Sequence, residues 1–312
     1  MEGVISTSPG ARIAVVTGGN KGIGLEVCRQ LAGNGITVVL TARDETRGAA
    51  ALEELRALGL SDVVFHLLDI TDASSIARLA GFLKARFGRL DILINNAAFG
   101  GVEYARGPAA AAAGSVTSEE ELSGMDRDQR LECLWRNTRE TYDAAKKGLL
   151  TNYYGTKHVI EALLPLLRAS SDGRIVNVSS DFGLLRFFRN EELKQELHNV
   201  EKLTEGRLDE LLDAFLEDFE ADEADARGWP AAFAAYKVGK AAMNAYSRIL
   251  AAEQPTLRVN CVHPGYIKTD ITLRSGLLTP EEGAGNVVKV ALLPGGGVTG
   301  AFFEDGQETS FV

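Results

Sequence analysis

The chain has 312 residues, 45% of them hydrophobic, which is enough for one large α/β domain or two ordinary ones. Its formal charge of -10 excludes a surface that tracks nucleic-acid phosphates, although a local basic pocket could still hold one nucleotide. Cys28, Cys133 and Cys261 stand far apart without metal-ligand spacing, so three buried or half-buried thiols in a reducing compartment are expected, and no metal site.

Residues 1 to 11 are polar, include Glu2 and lack a basic start followed by an apolar core, and no later stretch has the length of a membrane span. A soluble, cytoplasmic protein is expected. Ile13-Ala14-Val15-Val16 reads as a strand entering Thr17-Gly18-Gly19-Asn20-Lys21-Gly22-Ile23-Gly24, and a helical pattern from Leu25 to Leu31 leaves it. Glycine serves where the backbone takes positive φ or a ligand must come close, and the N–H groups of a helix's first turn attract anionic oxygen. Gly18, Asn20, Lys21, Gly22, Ile23 and Gly24 are therefore candidates to hold a dinucleotide pyrophosphate, against an ordinary strand-helix turn.

Ile36 to Thr41 reads as a second strand, ending at Ala42-Arg43-Asp44. Arg43 lies about twenty residues past Gly24, where dinucleotide folds place the group that reads the adenosine ribose. An acid there would bind the 2′-hydroxyl of NAD, whereas a guanidinium pairs with the 2′-phosphate of NADP(H), and Lys21 adds a second charge nearby. The alternative is a solvated surface pair. Glu45 to Leu58 reads as an amphipathic helix and Val63 to Asp69 as a third strand. Asp69 and Ile70 then sit at that strand's carboxyl end, where ligands bind in open α/β sheets, while His66 within the strand reads as a packed or surface residue. Ser74 to Phe87 follows as a helix and Leu90 to Ile94 as a fourth strand running into Asn95-Asn96-Ala97-Ala98. Such alternation predicts a parallel sheet.

From 99 to about 140 the pattern loosens into an insertion, part loop and part helix, with Phe99 at its start, an alanine run at 109 to 113 and Glu119-Glu120-Glu121. Thr141 to Pro165 reads as one long helix with Asn152 in its middle, an amide that needs a partner or a water once packed. Gly173 to Ser180 is a fifth strand ending in two hydroxyls. Tyr236 and Lys240 are four residues apart on a helix and share one face, so the ammonium can stabilise the anion of a phenol whose ordinary pKa is about 10. Between Ser180 and Tyr236, Leu208, Leu211, Leu212, Phe215, Leu216 and Phe219 recur at helical spacing opposite Asp209, Glu210, Asp213, Glu217 and Asp218, which predicts an amphipathic helix packed on the body with a solvated acidic face. Leu257 to Val262 is a sixth strand, His263 to Asp270 its following loop, 280 to 292 a last helix and Gly300 to Phe303 a seventh strand.

Thr17-Gly18-x-x-x-Gly22-x-Gly24 and Asn95-Asn96-Ala97, followed in order by Asn152, Ser180 and Tyr236-x-x-x-Lys240, resemble the short-chain dehydrogenase/reductase family. Ala98 and Gly239 depart from it, standing where the family more often has Gly and a small hydroxyl residue. The resemblance implies a single Rossmann-like α/β domain over 1–312, with a doubly wound parallel seven-stranded sheet and insertions at about 99–140 and 186–228. It implies that Ser180, rather than Ser179, binds the substrate carbonyl with Tyr236, which supplies the proton; that Lys240 holds the nicotinamide ribose; and that Asn152 keeps a kink and a water. Asn96, Ala97, Tyr236, Lys240, Pro264, Gly265, Ile267 and Thr269 are the implied further cofactor contacts, and His263 is implied to be a bystander. Phe99, Leu185 and Tyr266 are expected beside Ser180 in the substrate wall.

Asn20-Lys21, Thr41-Ala42-Arg43-Asp44 and the second insertion make the chain similar to the monomeric carbonyl reductase branch, and most similar to its plant salutaridine and menthone reductase group. That implies NADPH-dependent reduction of a bulky terpenoid or alkaloid ketone by a monomer, whose inserted helix covers the face where other members dimerise. The alternatives are NADP-linked alcohol oxidation and a non-catalytic NADPH sensor.

Overall fold

The β-branched runs become the strands of one sheet in the computed structural model, which describes residues 11–104 and 119–312, with the side chains of 119 and 120 excepted. The readings for residues 1–10 and for the alanine run at 109–113 lie outside the described residues. In chain order come β1 (Ile13–Val16), α1 (Gly22–Gly33), β2 (Thr37–Ala42), α2 (Glu45–Ala57), β3 (Val63–Leu67), α3 (Ala73–Arg86) and β4 (Ile92–Asn95). The first insertion supplies a two-stranded ribbon, β5 (Glu103–Tyr104) with β6 (Thr138–Arg139), and between its strands α4 (Arg127–Arg136), started by a capping box of Asp126 and Gln129. After it follow α5 (Tyr142–Leu149), α6 (Thr156–Arg168), β7 (Arg174–Val178), α7 (Glu191–His198), α8 (Glu205–Glu220), α9 (Ala234–Glu253), β8 (Arg258–His263), α10 (Pro280–Ala291), β9 (Phe302–Glu304) and β10 (Gln307–Thr309).

The sheet order is β3-β2-β1-β4-β7-β8-β9-β10, with β1 pairing β2 and β4 so that Val15 lies opposite Val39 and Leu93. Seven strands are parallel, as expected, and the eighth, β10, turns back antiparallel on β9 through Asp305 and Gly306, both at positive φ. Its three exposed residues carry no apolar pattern, so nothing in the sequence marks them. Every residue of β1, β2, β4 and β7 is buried, because helices cover both faces of the sheet. Strand order reverses between β1 and β4, opening a crevice at the carboxyl ends of these strands.

Two helical features depart from the expected pattern. The helix expected from Thr141 to Pro165 is broken by a π turn, Leu150–Gly155, and continues past Pro165 to Arg168, since Leu163, Leu166 and Leu167 keep its apolar face in the core. The second insertion lays α8 against α9 and α5, burying Leu208, Leu211, Leu212 and Phe215. Its acidic face is less solvated than expected. Asp209 accepts hydrogen bonds from the Tyr153 hydroxyl (2.8 Å) and Lys157 Nζ (3.1 Å), Glu205 joins Lys157 at 3.2 Å, and Asp218 accepts from the Trp229 indole (2.8 Å). Lys157 is itself buried, so these carboxylates neutralise a charge that burial would otherwise penalise. Among the described residues no helix is long and apolar enough to cross a membrane.

Candidate active site

The glycine loop leaves β1 with Gly18 at φ +65° and Gly22 at φ +55°, a backbone that L side chains rarely adopt. Gly24 has another reason to be glycine: a Cβ there would lie 2.3 Å from Gly18 O and 2.5 Å from Asn96 Nδ2. Asn96 braces this turn from β4, donating its carboxamide to Thr17 O (3.0 Å) and Gly18 O (3.1 Å), while the Thr17 hydroxyl accepts the N–H groups of Asn96 and Ala97. The loop delivers the chain to α1, whose N-cap, Lys21, gives the first turn no side-chain acceptor. Asp44, Asp72, Asp126, Thr141, Thr204 and Thr279 all perform that service for other helices. The first N–H groups of α1 are thus left facing the crevice, a place that fits phosphate oxygen.

Arg43 follows β2 at the rim of the same crevice, exposed and without a hydrogen bond or ion pair among the described residues. Asp44, the adjacent acid, is spent on capping α2 through Arg47 N–H (2.9 Å). Across the crevice Asp69 accepts the backbone and hydroxyl protons of Thr71 (2.9 and 2.7 Å). Desolvation alone would raise its pKa, but these bonds and the charges of Arg43 and Lys147 bring it below the ordinary carboxylate value.

Farther along the crevice, Ser180 follows β7 by two residues and caps a short 3₁₀ turn, its Oγ accepting Phe182 N–H at 3.1 Å and lying 3.1 Å from Asp181 Oδ1. Tyr236 and Lys240 project from α9, as the four-residue spacing requires, with Lys240 Nζ 5.6 Å from the centre of the Tyr236 ring. Lys240 is 3% exposed, and its ammonium donates to Val178 O at 2.7 Å. Burial lowers its pKa to about 8, with Cys261 opposing, so its charge is present at neutral pH and is lost as pH rises through that value. Burial likewise raises the Tyr236 phenol above its ordinary value, Asp181 adds to the rise, and hydrogen bonding with Ser180 opposes it. One continuous cavity of about 620 Å³ joins these hydroxyls to the glycine loop and Arg43.

A family profile described as short chain dehydrogenase matches residues 12–118. Short-chain dehydrogenase/reductase 1 of Saponaria officinalis is 46% identical over 303 residues, covering 96% of each chain. The chain belongs to the short-chain dehydrogenase/reductase family. Among solved structures, salutaridine reductase from Papaver somniferum superposes with a TM-score of 0.84 at 44% identity, over 94% of this chain and 99% of that one. Menthone neomenthol reductase from Mentha piperita gives 0.78 at 42% identity, over 95% and 99%. This member of the family is an oxidoreductase.

Of the residues expected at the site of this dehydrogenase/reductase, Gly18, Asn20, Lys21, Gly22, Ile23, Arg43, Asp69, Ile70, Asn96 and Ala97 line one end of the cavity. Ser180, Tyr236 and Lys240, with Pro264, Gly265, Ile267 and Thr269, line its middle, and Phe99 and Tyr266 its wall. Gly24 lies behind the loop. Leu185 is a correction: it is 5% exposed and joins the main core, because the 3₁₀ turn Leu185–Phe187 points it inward and ties its N–H to Phe311 O. Lys21, expected beside the 2′-phosphate, is ion-paired with Asp270. Asn152, within the π turn, is joined to the backbone of Phe99 through both ends of its carboxamide, accepting Phe99 N–H and donating to Phe99 O (2.8 Å each).

Several wall residues had no sequence signal. Val102, Tyr104, Arg127, Leu131 and Leu134 come from the first insertion, and Phe233 enters from a turn where Ala232 and Phe233 have φ +48° and +52°. Phe233 packs against Trp135 with ring centres 4.9 Å apart. His263 lines the cavity with a buried Nδ1 that finds no hydrogen-bond partner among the described residues, and burial lowers its pKa, so the ring is neutral. Asp181 could have been suspected only from its place beside Ser180.

Proposed function

We propose that the protein is an NADPH-dependent carbonyl reductase that converts a bulky ketone, of the terpenoid or alkaloid class, or an aldehyde, to the alcohol. The observation that carries this reading is the single cavity joining Ser180, Tyr236 and Lys240 to an uncapped helix N-terminus and to Arg43, which has no ion-pair partner among the described residues. Those residues fit a phosphorylated dinucleotide: Gly18 to Ile23 and the α1 N–H groups would hold the pyrophosphate, Arg43 the 2′-phosphate, and Asp69 with Ile70 the adenine side. Asn96, Ala97, Pro264, Gly265, Ile267 and Thr269 would enclose the nicotinamide end. When bound, the reduced nicotinamide supplies a hydride for the carbonyl carbon.

The chain's own part is to bind, polarise and protonate. Ser180 and Tyr236 hydrogen-bond the carbonyl oxygen, and Tyr236 transfers its proton as negative charge builds there. Lys240, held in place by Val178 O, stabilises the resulting tyrosinate. Asn152 acts by fixing the backbone of Phe99 and so the start of the cavity wall. The apolar faces of Val102, Leu131, Leu134 and Phe233 suit a hydrocarbon skeleton. The named reductases that the chain resembles support the same substrate class.

NADPH consumption should be followed with bulky cyclic ketones, aromatic aldehydes and quinones, and again with NADH. Fast turnover of one cyclic ketone with NADPH alone supports this reading, and slow, broad reduction points to a detoxifying enzyme. Oxidation of the alcohols alone favours the dehydrogenase, and tight NADPH binding without turnover in either direction favours a sensor. The reading includes a monomer, because α8 already occupies a flank of α9; light scattering that finds a dimer with α9 between chains contradicts it. It also includes a cytoplasmic location, suited to the free thiols of Cys28, Cys133 and Cys261. A fluorescent fusion confined to an organelle would oppose that.

A further inference from the structure

The residue after Ser180 is a buried carboxylate that the proton transfer does not use. Asp181 is 5% exposed, lines the cavity near Tyr236 and has its Oδ1 3.1 Å from the Ser180 hydroxyl. Arg127 of α4 pairs directly with its Oδ2, Arg186 of the following turn lies 3.9 Å away, and His263 Nε2 at the end of β8 lies 3.8 Å from Oδ1.

We propose, building on the reductase reading, that Asp181 is a positioning residue for the reaction. It competes with the substrate oxygen for the one proton of Ser180 and sets a negative charge on the Tyr236 side of the cavity, and Arg127 from the insertion sets how strongly it does both.

A serine hydroxyl has a single proton to donate. Here Asp181 Oδ1, at 3.1 Å, and the Tyr236 oxygen are both within reach of that proton while Oγ accepts Phe182 N–H, so a carbonyl oxygen must compete with the carboxylate for Ser180. The same negative charge opposes formation of tyrosinate beside it, which agrees with its part in raising the Tyr236 phenol. Ketone reduction needs the phenol and alcohol oxidation needs its anion, so Asp181 biases the site toward reduction.

The surrounding charges make Arg127 the control. His263 is kept neutral by burial although Asp181 and Glu304 oppose this, so it cancels no charge at neutral pH. Lys237 of α9 is held by Ala231 O at 2.7 Å and divides its field between Glu140 and Asp181. Lys240 is tied to Val178 O, and Arg186 is at the limit of ion-pair distance. Of the charged groups among the described residues, Arg127 alone makes a direct contact with the carboxylate, and its side chain is 39% exposed against 7% for Asp181. An ion pair of this kind draws the carboxylate's charge away from Ser180 and Tyr236. Because Arg127 also lines the cavity, the first insertion is coupled to the chemistry through a charge as well as through shape.

The test is an ultraviolet difference titration of the Tyr236 tyrosinate, each protein minus its own Tyr236→Phe counterpart, on the full chain with Asp181→Asn and with Arg127→Gln. Asp181→Asn should lower the midpoint by about one pH unit and Arg127→Gln should raise it, since nearby charges move a pKa by about that much or more. The acid limb of alcohol oxidation should move the same way in each variant, while NADPH binding, which reports folding, stays within about threefold. A simple loss of packing would move both midpoints together; that result, or two unmoved midpoints, overturns the proposal. Arg127→Gln, the more exposed change, keeps the test readable if Asp181→Asn does not fold. The titration needs no substrate, so absence of carbonyl turnover in the unaltered protein would fail the reductase reading alone, and turnover with unshifted midpoints would fail the role of Asp181 alone.

Discussion

Tyr236→Phe should reduce kcat for ketone reduction by about a thousandfold, within the range of about 10² to 10⁴ that a positioned general acid contributes. The ring is retained, so its packing against Phe182, with centres 6.4 Å apart, survives and only the proton donor is lost. Binding of NADPH, followed by fluorescence, should change by less than about threefold, because the phosphate end of the cavity is untouched. The two readouts separate chemistry from binding. A kcat within about tenfold of the unaltered enzyme would remove Tyr236 as the proton donor. Ser180→Ala is not an equivalent experiment, because the serine also caps the 3₁₀ turn through Phe182 N–H.

Arg43→Ala should weaken NADPH binding by about ten- to a hundredfold, the loss of one or two hydrogen bonds to a charged phosphate, and leave NADH within about threefold. The size of the effect follows from the isolation of the residue. Arg43 has no ion-pair partner among the described residues, and Lys21, the other nearby cation, is engaged by Asp270. Since Arg43 is exposed, its contribution should also fall with added salt. Equal losses for both dinucleotides would mean that the guanidinium does not read the 2′-phosphate.

What could be read from the sequence was local in origin. Gly18, Gly22 and Gly24 declare a backbone that few other residues allow, and Tyr236 and Lys240 share a face because a helix makes them do so. Fold class followed from alternating strands and helices, each a short-range pattern. Side-chain direction did not follow. Leu185 sits a few residues from Ser180 in the chain yet points into the core, and Lys21 turns to an aspartate 249 residues away. Asn152 was conspicuous as an amide in a helix, but its partner, the backbone of Phe99, depends on how two distant segments meet. The wall from Val102 to Leu134 comes from an insertion without periodicity, and Asp209 looked solvated only because Lys157 belongs to another helix.

The burial of α9 bears on how substrate preference diverges among related enzymes. Nearly every residue of this helix is enclosed, by β8 and α5 and by the added α8, so most changes near Tyr236 disturb packing before they alter selectivity. Val102, Leu131 and Ile271 line the cavity from segments outside this helix. Variation can accumulate there while Tyr236 and Lys240 stay in register. In such an architecture new substrates are acquired at the rim, and the reaction is inherited from the interior.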